Sequence, residues 1–352
     1  MERSSIERSR TELRKTGWSM MKRAAACILA LALALALGAG LLGGCAAERG
    51  TQAQAPQDKE APSQEVAAEG QPEGGGMVLT DMVGREVRLD GPATRTVALT
   101  AADVEILFAI GAGDILVGRG EFCNYPPEAL EIPALTSGNE TNVEQIIALE
   151  PQVVVMGKMA QDEAQMQQIE DAGIAVFVTD AQEIAEVYTC IDLLGQLTGK
   201  EQAAIEVVSD METTFSDLQA KAAATGGEQK SIYFEVSPLE FGLWTTGTGT
   251  FMNEVAELLG MRNIFADVSG WAEVSEEQVL ERNPDYILTV GMYFGDGPTP
   301  IESILSRPGW DSIAAIKNEA ILNLTDDELS RPGPRLALGA QRLYDFVYEG
   351  KR

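Results

Sequence analysis

The chain of 352 residues contains no histidine. That absence removes Ser-His-Asp and Cys-His nucleophilic catalysis, the zinc-hydrolase motifs and His-built metal sites. It also removes the commonest haem axial ligand and leaves Tyr and Met for that role. Positive charge is scarce as well. Lys and Arg number 26 against 54 Asp and Glu, a formal net charge of −28. This argues against a nucleic-acid partner, because phosphate contacts need clustered positive charge. No catalytic constellation emerges from what remains. Carboxylates are abundant, but no spacing pairs two of them for acid–base work.

What is present begins with one long apolar run. Met21-Lys22-Arg23 precede an apolar stretch from Ala24 to Leu42, which ends in Leu42-Gly43-Gly44-Cys45. A charged start, an apolar middle and small residues before a cleavage point make a secretory signal. A Cys directly after that point resembles the lipobox of bacterial lipoproteins. The resemblance implies that Cys45 is acylated, becomes the new N-terminus and tethers the rest to a membrane from outside the cytoplasm. The run also has the length of a retained anchor, since about 20 apolar residues span a bilayer. Residues 1–19 are polar, and Met20 or Met21 makes a better start for a signal. Residues 1–45 hold seven basic and three acidic residues, so the remainder carries a net charge of about −32, which favours solubility. Of the four cysteines, Cys27 leaves with the signal and Cys45 takes lipid. Cys123 and Cys190 stay in an oxidising compartment, free or paired.

Residues 46–76 are rich in Ala, Glu, Gln, Pro and Gly and read as a disordered tether. Val78–Asp81 and Glu86–Leu89 flank a turn at Gly84 and predict a hairpin. Thr96–Leu99 then reads as a strand. A helix follows from Asp103 to Ile110, with Thr100 and Asp103 at capping-box spacing and Gly111 at C′. Strands alternate with helices up to Val178, which predicts a parallel α/β sheet. Residues 184–225 read as a connecting helical segment, and Lys200–Ala223 lacks Gly and Pro. Alternation resumes at Ser231. The chain thus divides into residues 1–45, the tether 46–76, an α/β lobe 77–183, the connector 184–225 and an α/β lobe 226–352. An internal repeat supports this. Glu144-Gln145-Ile146-Ile147, Pro151 and Val153–Val155 recur at a constant offset of 133 as Glu277-Gln278-Val279-Leu280, Pro284 and Tyr286–Leu288.

The repeat puts Glu144 and Glu277 at matching positions. Thr141-x-x-Glu144 is one capping box; Asn142-x-x-Gln145 and Ser275-x-x-Gln278 are another pair. On the second register both glutamates fall at N2 and point outward, which suits docking to a symmetric basic partner. Phe122, Tyr125, Phe241, Trp244, Trp271, Tyr293 and Phe294 sit in predicted loops, where aromatics either cap a sheet or grip a large, flat, partly apolar ligand. Thr245–Thr250 reads as a hydroxyl-rich binding loop and only weakly as an anion cradle. Asp326, Asp327 and Arg331 precede the last helix as ligand contacts or solvated charges.

Residues 78–350 resemble the substrate-binding lipoproteins of ABC importers for iron-siderophores, haem and cobalamin. The resemblance rests on Asp81–Val87, Glu105–Gly113, Asn142–Pro151 and Trp271–Leu280. It implies two α/β lobes of the class III periplasmic-binding-protein type, joined by one long rigid helix, in a monomer that performs no catalysis and holds no cofactor or metal. It implies a permease dimer with its ATPase subunits as partner, met through Glu144 and Glu277. The stretch Cys123–Ala129 is similar to the cobalamin-binding members, where the Tyr, here Tyr125, lies against the corrin and a cleft Trp sits at Trp271. Where such members place another Trp after a strand of the first lobe, this chain has Met156-Gly157-Lys158-Met159, which suits a haem ligand instead. The expected site is therefore Phe122, Tyr125, Met156, Phe241, Trp244, Trp271, Tyr293, Asp327 and Arg331. The expected solute is cobalamin or a related corrinoid, with haem or a ferric siderophore as the alternative. A siderophore site wants basic residues, and Arg119, Lys158 and Arg331 are the candidates. A carboxylate-dependent extracytoplasmic hydrolase and a surface adhesin are the readings from other classes. Replacing Glu144 and Glu277 together by Ala is expected to leave solute affinity intact and to slow uptake in a transport assay. Loss of affinity in that double variant would sink the docking assignment.

Overall fold

A computed structural model describes residues 76–351 except 139–140, 159–162, 238, 291–296 and 325–326. The apolar run, Cys45 and the tether lie outside the described residues, as do Met159, Tyr293, Phe294 and Asp326. All described residues belong to one unit, 70–352. None of their helices is long and apolar enough to cross a membrane.

The hairpin pairs β1 (Met77–Thr80) with β2 (Glu86–Leu89). Its turn is held by Asp81, whose Oδ1 accepts from the Val83 and Arg85 amides, while Gly84 takes φ +85°. The first lobe is a five-stranded parallel sheet ordered β5-β4-β3-β6-β7. Its strands are β3 (Thr96–Ala98), β4 (Leu116–Gly120), β5 (Ala134–Leu135), β6 (Val153–Gly157) and β7 (Ala175–Thr179). Helix α1 (Ala101–Ala109) covers one face; α2 (Val143–Ala148) and α3 (Glu163–Asp171) cover the other. A sheet covered on both faces needs apolar residues at consecutive positions, which β6 supplies as Val153-Val154-Val155-Met156. Val153 and Val155 enter one core, and Val154 and Met156 enter the other, as the two-residue period of a strand requires.

The connector is two helices rather than one. Helix α4 (Ile184–Thr198) ends at Gly199 with φ +67°, and α5 (Glu201–Thr225) packs back against it. Over 25 residues α5 is about 37 Å long, at roughly 1.5 Å per residue. The second lobe holds α6 (Phe251–Leu258), α7 (Glu276–Arg282), α8 (Pro300–Leu305), α9 (Ala314–Lys317) and the closing α10 (Leu336–Tyr348). Its parallel sheet is ordered β10-β8-β12-β13, from β8 (Ser231–Glu235), β10 (Arg262–Asn263), β12 (Tyr286–Thr289) and β13 (Ile321–Asn323). A separate antiparallel pair joins β9 (Leu243–Thr246) to β11 (Trp271–Val274). The sequence repeat is structural. Thr96 pairs with Val153 in the first sheet and Ile232 with Tyr286 in the second, so repeat-related β6 and β12 occupy equivalent places beside β3 and β8.

The inner faces of both sheets bury into one continuous apolar core. Val155 and Phe177 come from the first sheet and Phe234 and Leu288 from the second. Ile191, Leu218 and Leu343 of α4, α5 and α10 lie between them. The outer faces close separately, the first under α2 and α3, the second under α7, α8 and α9 with Trp310 fully buried.

Several local expectations change. Thr100 does begin α1, but its hydroxyl makes no helix cap; it accepts the Gly157 amide at 2.6 Å, and Asp103 turns inward. Cys123 and Cys190 are both buried and unpaired. The Thr245–Thr250 hydroxyls are consumed within the fold: Thr245 donates to the Phe234 carbonyl, Thr248 to Val268, and Thr250 caps α6 and bonds Thr246. That segment is no ligand loop.

The hairpin of α4 on α5 depends on Gly195, where a Cβ would stand 2.6 Å from the Ala204 Cβ. Gly195→Val is expected to cost about 1–3 kcal/mol through overpacking. Thermal unfolding checks it, and adding Ala204→Gly should recover part of the loss.

Candidate functional site

In open α/β sheets ligands bind beyond the carboxyl ends of the strands. In the first lobe those ends lead into Thr100 after β3, residues 121–126 after β4, Lys158 after β6 and Asp180–Gln182 after β7. They meet Phe251, Trp271 and the segment 327–335 of the second lobe. A cavity of about 170 Å³ lies at this junction, lined from the first lobe by Thr100, Asp103 and Gly157 and from the second by Phe251, Trp271 and Ser330. Trp271 meets Phe251 edge-on at 5.6 Å, and its Nε1 donates to Gln182 Oε1 at 3.0 Å, across the lobes.

Asp103 forms the floor and is 1% exposed. Burial pushes its carboxyl up to about 7, opposed by hydrogen bonds from Thr179, Thr100 and Cys190. Thr179 Oγ1 donates to Oδ2 at 3.1 Å, and the Cys190 thiol lies 3.9 Å from Oδ1. At the rim Lys158 Nζ donates to Asp180 Oδ2 at 2.7 Å.

A second cluster locks the cleft mouth. Glu105, buried on α1, accepts from Arg331 Nη1 at 2.8 Å and from Arg335 Nε and Nη2, both at 2.7 Å. Arg331 also reaches Asn124 Oδ1 at 2.9 Å, Asp327 Oδ2 at 2.5 Å and the Phe122 carbonyl at 3.4 Å. Arg335 stacks on the Tyr125 ring, 3.9 Å from its centroid. A neighbouring cavity of about 370 Å³ is lined by Asn124, Tyr125, Glu328, Arg335 and Arg342. The charge around it is also internal, since Arg342 pairs with buried Glu328 at 2.8 Å.

The expected site residues therefore separate. Phe122, Tyr125, Asp327 and Arg331 come together through this cluster, and Trp271 lines the cavity. Met156 does not reach either: the strand period turns it into the outer core against Ile146 and Ile169, and it is fully buried. Trp244 and Trp271 stand on the strand pair β9–β11 rather than in loops, and Phe241 closes a short 3-10 turn before it. Phe241 and Trp244 are exposed but line neither cavity. Tyr293 lies outside the described residues. Glu144 and Glu277 are exposed at N2 of α2 and α7, capped by Asn142 and Ser275 as the repeat register requires. Thr141 is not the cap; its hydroxyl donates to Gly138. Sequence reasoning missed Asp103, Glu105, Gln182 and Arg335. The available signal was two acids set in the otherwise apolar helix Ala-Ala-Asp-Val-Glu-Ile-Leu-Phe-Ala.

The profile of a family described as periplasmic binding protein matches residues 96–328. An uncharacterized ABC transporter substrate-binding lipoprotein of Bacillus subtilis, YvrC, is 33% identical over 276 residues, covering 77% of this chain and 85% of that protein. The vitamin B12-binding protein of Salmonella typhimurium is 29% identical over 252 residues, 71% of this chain and 89% of that one. The crystal structure of a possible iron-binding, periplasmic solute-binding protein from Staphylococcus epidermidis superposes with a TM-score of 0.61 at 30% identity, covering 73% and 99%.

The buried carboxyl has a measurable consequence. With its pKa raised from 3.8 to about 7, folded Asp103 holds a proton that the unfolded chain has already released. Stability is full below about pH 4 and falls as pH rises to about 7, by an amount on the order of 4 kcal/mol from this group. Asp103→Asn should remove that slope. Thermal unfolding of both proteins between pH 5 and 8 checks it, and parallel pH profiles would contradict it.

Proposed function

Because the chain belongs to the periplasmic binding protein family, we propose that it captures cobalamin or a related corrinoid outside the cytoplasm and delivers it to an ABC permease. In this reading Cys45 carries the lipid anchor, and Glu144 and Glu277 dock the monomer on the permease. The lipoprotein relative from Bacillus subtilis and the vitamin B12-binding relative from Salmonella typhimurium both support it.

The observation that carries the choice of solute is that every candidate cation is held by partners within the fold. Arg331 is spent on Glu105 and Asp327, Lys158 on Asp180, and buried Arg119 on the carbonyls of Ala129, Gly120 and Glu121. An anionic ferric chelate finds no uncommitted positive charge among these three. What the mouth does offer is aromatic surface: Tyr125 is 41% exposed with its ring held by Arg335, and Trp271 stands in the cavity on the other lobe. Aromatic side chains from both lobes suit a large, flat, largely uncharged ligand. The second reading is haem or a ferric siderophore, and the likeness to the possible iron-binding protein of Staphylococcus epidermidis favours an iron-containing solute.

Calorimetric titration of the purified protein with cyanocobalamin, with haemin in parallel, separates the two. Saturable binding of cyanocobalamin alone supports the corrinoid reading; binding of haemin alone replaces it. Tyr125→Ala and Trp271→Ala should each weaken the bound solute by about 1–2 kcal/mol, roughly 5- to 30-fold. Unchanged affinity in both would remove these rings from the site.

A further inference from the structure

The cavity at the lobe junction is too small for a macrocycle, at about 170 Å³, yet it opens where the solute would lie. Its chemistry is uneven. The floor is the Asp103 carboxyl, and the walls are mainly apolar, from Ala102, Phe251 and Trp271. A carboxylate has about four acceptor positions. Thr179 and Thr100 occupy two of them, and the Cys190 thiol, at 3.9 Å, fills a third weakly. Gly157 lets Thr100 close in on the β6 end: its amide donates to Thr100 Oγ1 at 2.6 Å, and a Cβ there would stand only 2.9 Å from that oxygen. Lys158 is the cation of the lining, and one of its three N–H donors serves Asp180.

We propose that this cavity is a subsite for one uncharged primary carboxamide arm of the solute, and that Asp103 is the residue that selects such an arm over a carboxylate. The amide N–H₂ donates to the remaining acceptor position of Asp103, and the amide oxygen faces the rim. A carboxylate arm brings no donor, and it places a second negative charge against a buried one, which is strongly unfavourable in a poorly solvated site. The proposal rests on the corrinoid reading and deepens it. Corrinoids carry acetamide and propionamide arms, whereas haem carries propionates.

The test compares two corrinoids of the same ring. Dicyanocobinamide has amide arms; cobyrinic acid has carboxylates in their place. At pH 8 the full protein should bind dicyanocobinamide at least about 100-fold more tightly than cobyrinic acid. Asp103→Asn, which offers a donor as well as an acceptor, should cut that ratio about tenfold by improving the acid. A second measurement needs no variant. Between pH 6 and 8.5 the wild-type ratio should rise, because Asp103 ionises near 7 while both compared ligands keep their charges. The thiols and the ammonium group near Asp103 hold their state across that range. Burial pushes the Cys190 thiol well up and the Cys123 thiol to about 12, and its bond to Asp180 pushes Lys158 up. Glu186, on α4, is tied to the Gln182 amide at 2.7 Å. A ratio unchanged both in Asp103→Asn and across pH overturns the subsite while leaving the corrinoid reading in place. Failure of cyanocobalamin and both analogues to bind overturns that reading and the subsite with it.

Discussion

The rest of the structure depends on one constraint: two separate sheets share a single apolar core. Each sheet is covered on both faces. The outer faces close under helices of their own lobe, but the inner faces have only α1, α4, α5, α6 and α10 between them. Exposing either inner face would uncover residues such as Phe177, Phe234 and Leu288, so the lobes cannot part along this layer without losing the core that folds them. The cleft is therefore a notch at one edge of a continuous body. Its walls are the strand ends and loops that the shared layer does not cover.

Within that notch the decisive polar contact is Glu105 with Arg331 and Arg335. A carboxylate buried on α1 requires compensation, and two guanidinium groups from the far end of the chain supply it. Removing one partner of such a buried set typically costs about 3–5 kcal/mol. The same contacts orient the mouth. Arg335 bonds Glu105 with its guanidinium over the Tyr125 ring, and Arg331 bonds both Asn124 and Asp327. Electrostatics and ligand surface are thus coupled: pairing the cations inward leaves the mouth aromatic rather than basic.

Much of this was legible in the residues. The gap-free repeat foretold two equivalent βα units, and β6 and β12 occupy matching places in their sheets. Asn142 and Ser275 cap α2 and α7 because side-chain acceptors at that spacing satisfy amides no other group can reach. Other features failed for identifiable reasons. Gly199 stood out in the sequence as a break within 184–225, but nothing local showed that its left-handed backbone folds α5 back on α4. Trp244 and Trp271 looked like loop residues because the strands they form pair across 24 intervening positions, which no local pattern reports. Met156 looked available as a ligand, but a run of four apolar residues does not say which of them faces the cleft.

Local rules acting on neighbours along the chain determined the α/β class, the two lobes, the caps at Asn142 and Ser275 and the absence of histidine chemistry. Those follow from periodicity, capping geometry and composition, and all are complete within a few tens of residues. Only the tertiary structure decided which charges would be spent and which surfaces left bare. Glu105 and Arg331 are separated by 226 positions, and Trp271 and Gln182 by 89. Pairing over such distances depends on how the shared core sets one lobe against the other, and that relation is written in no single stretch of sequence.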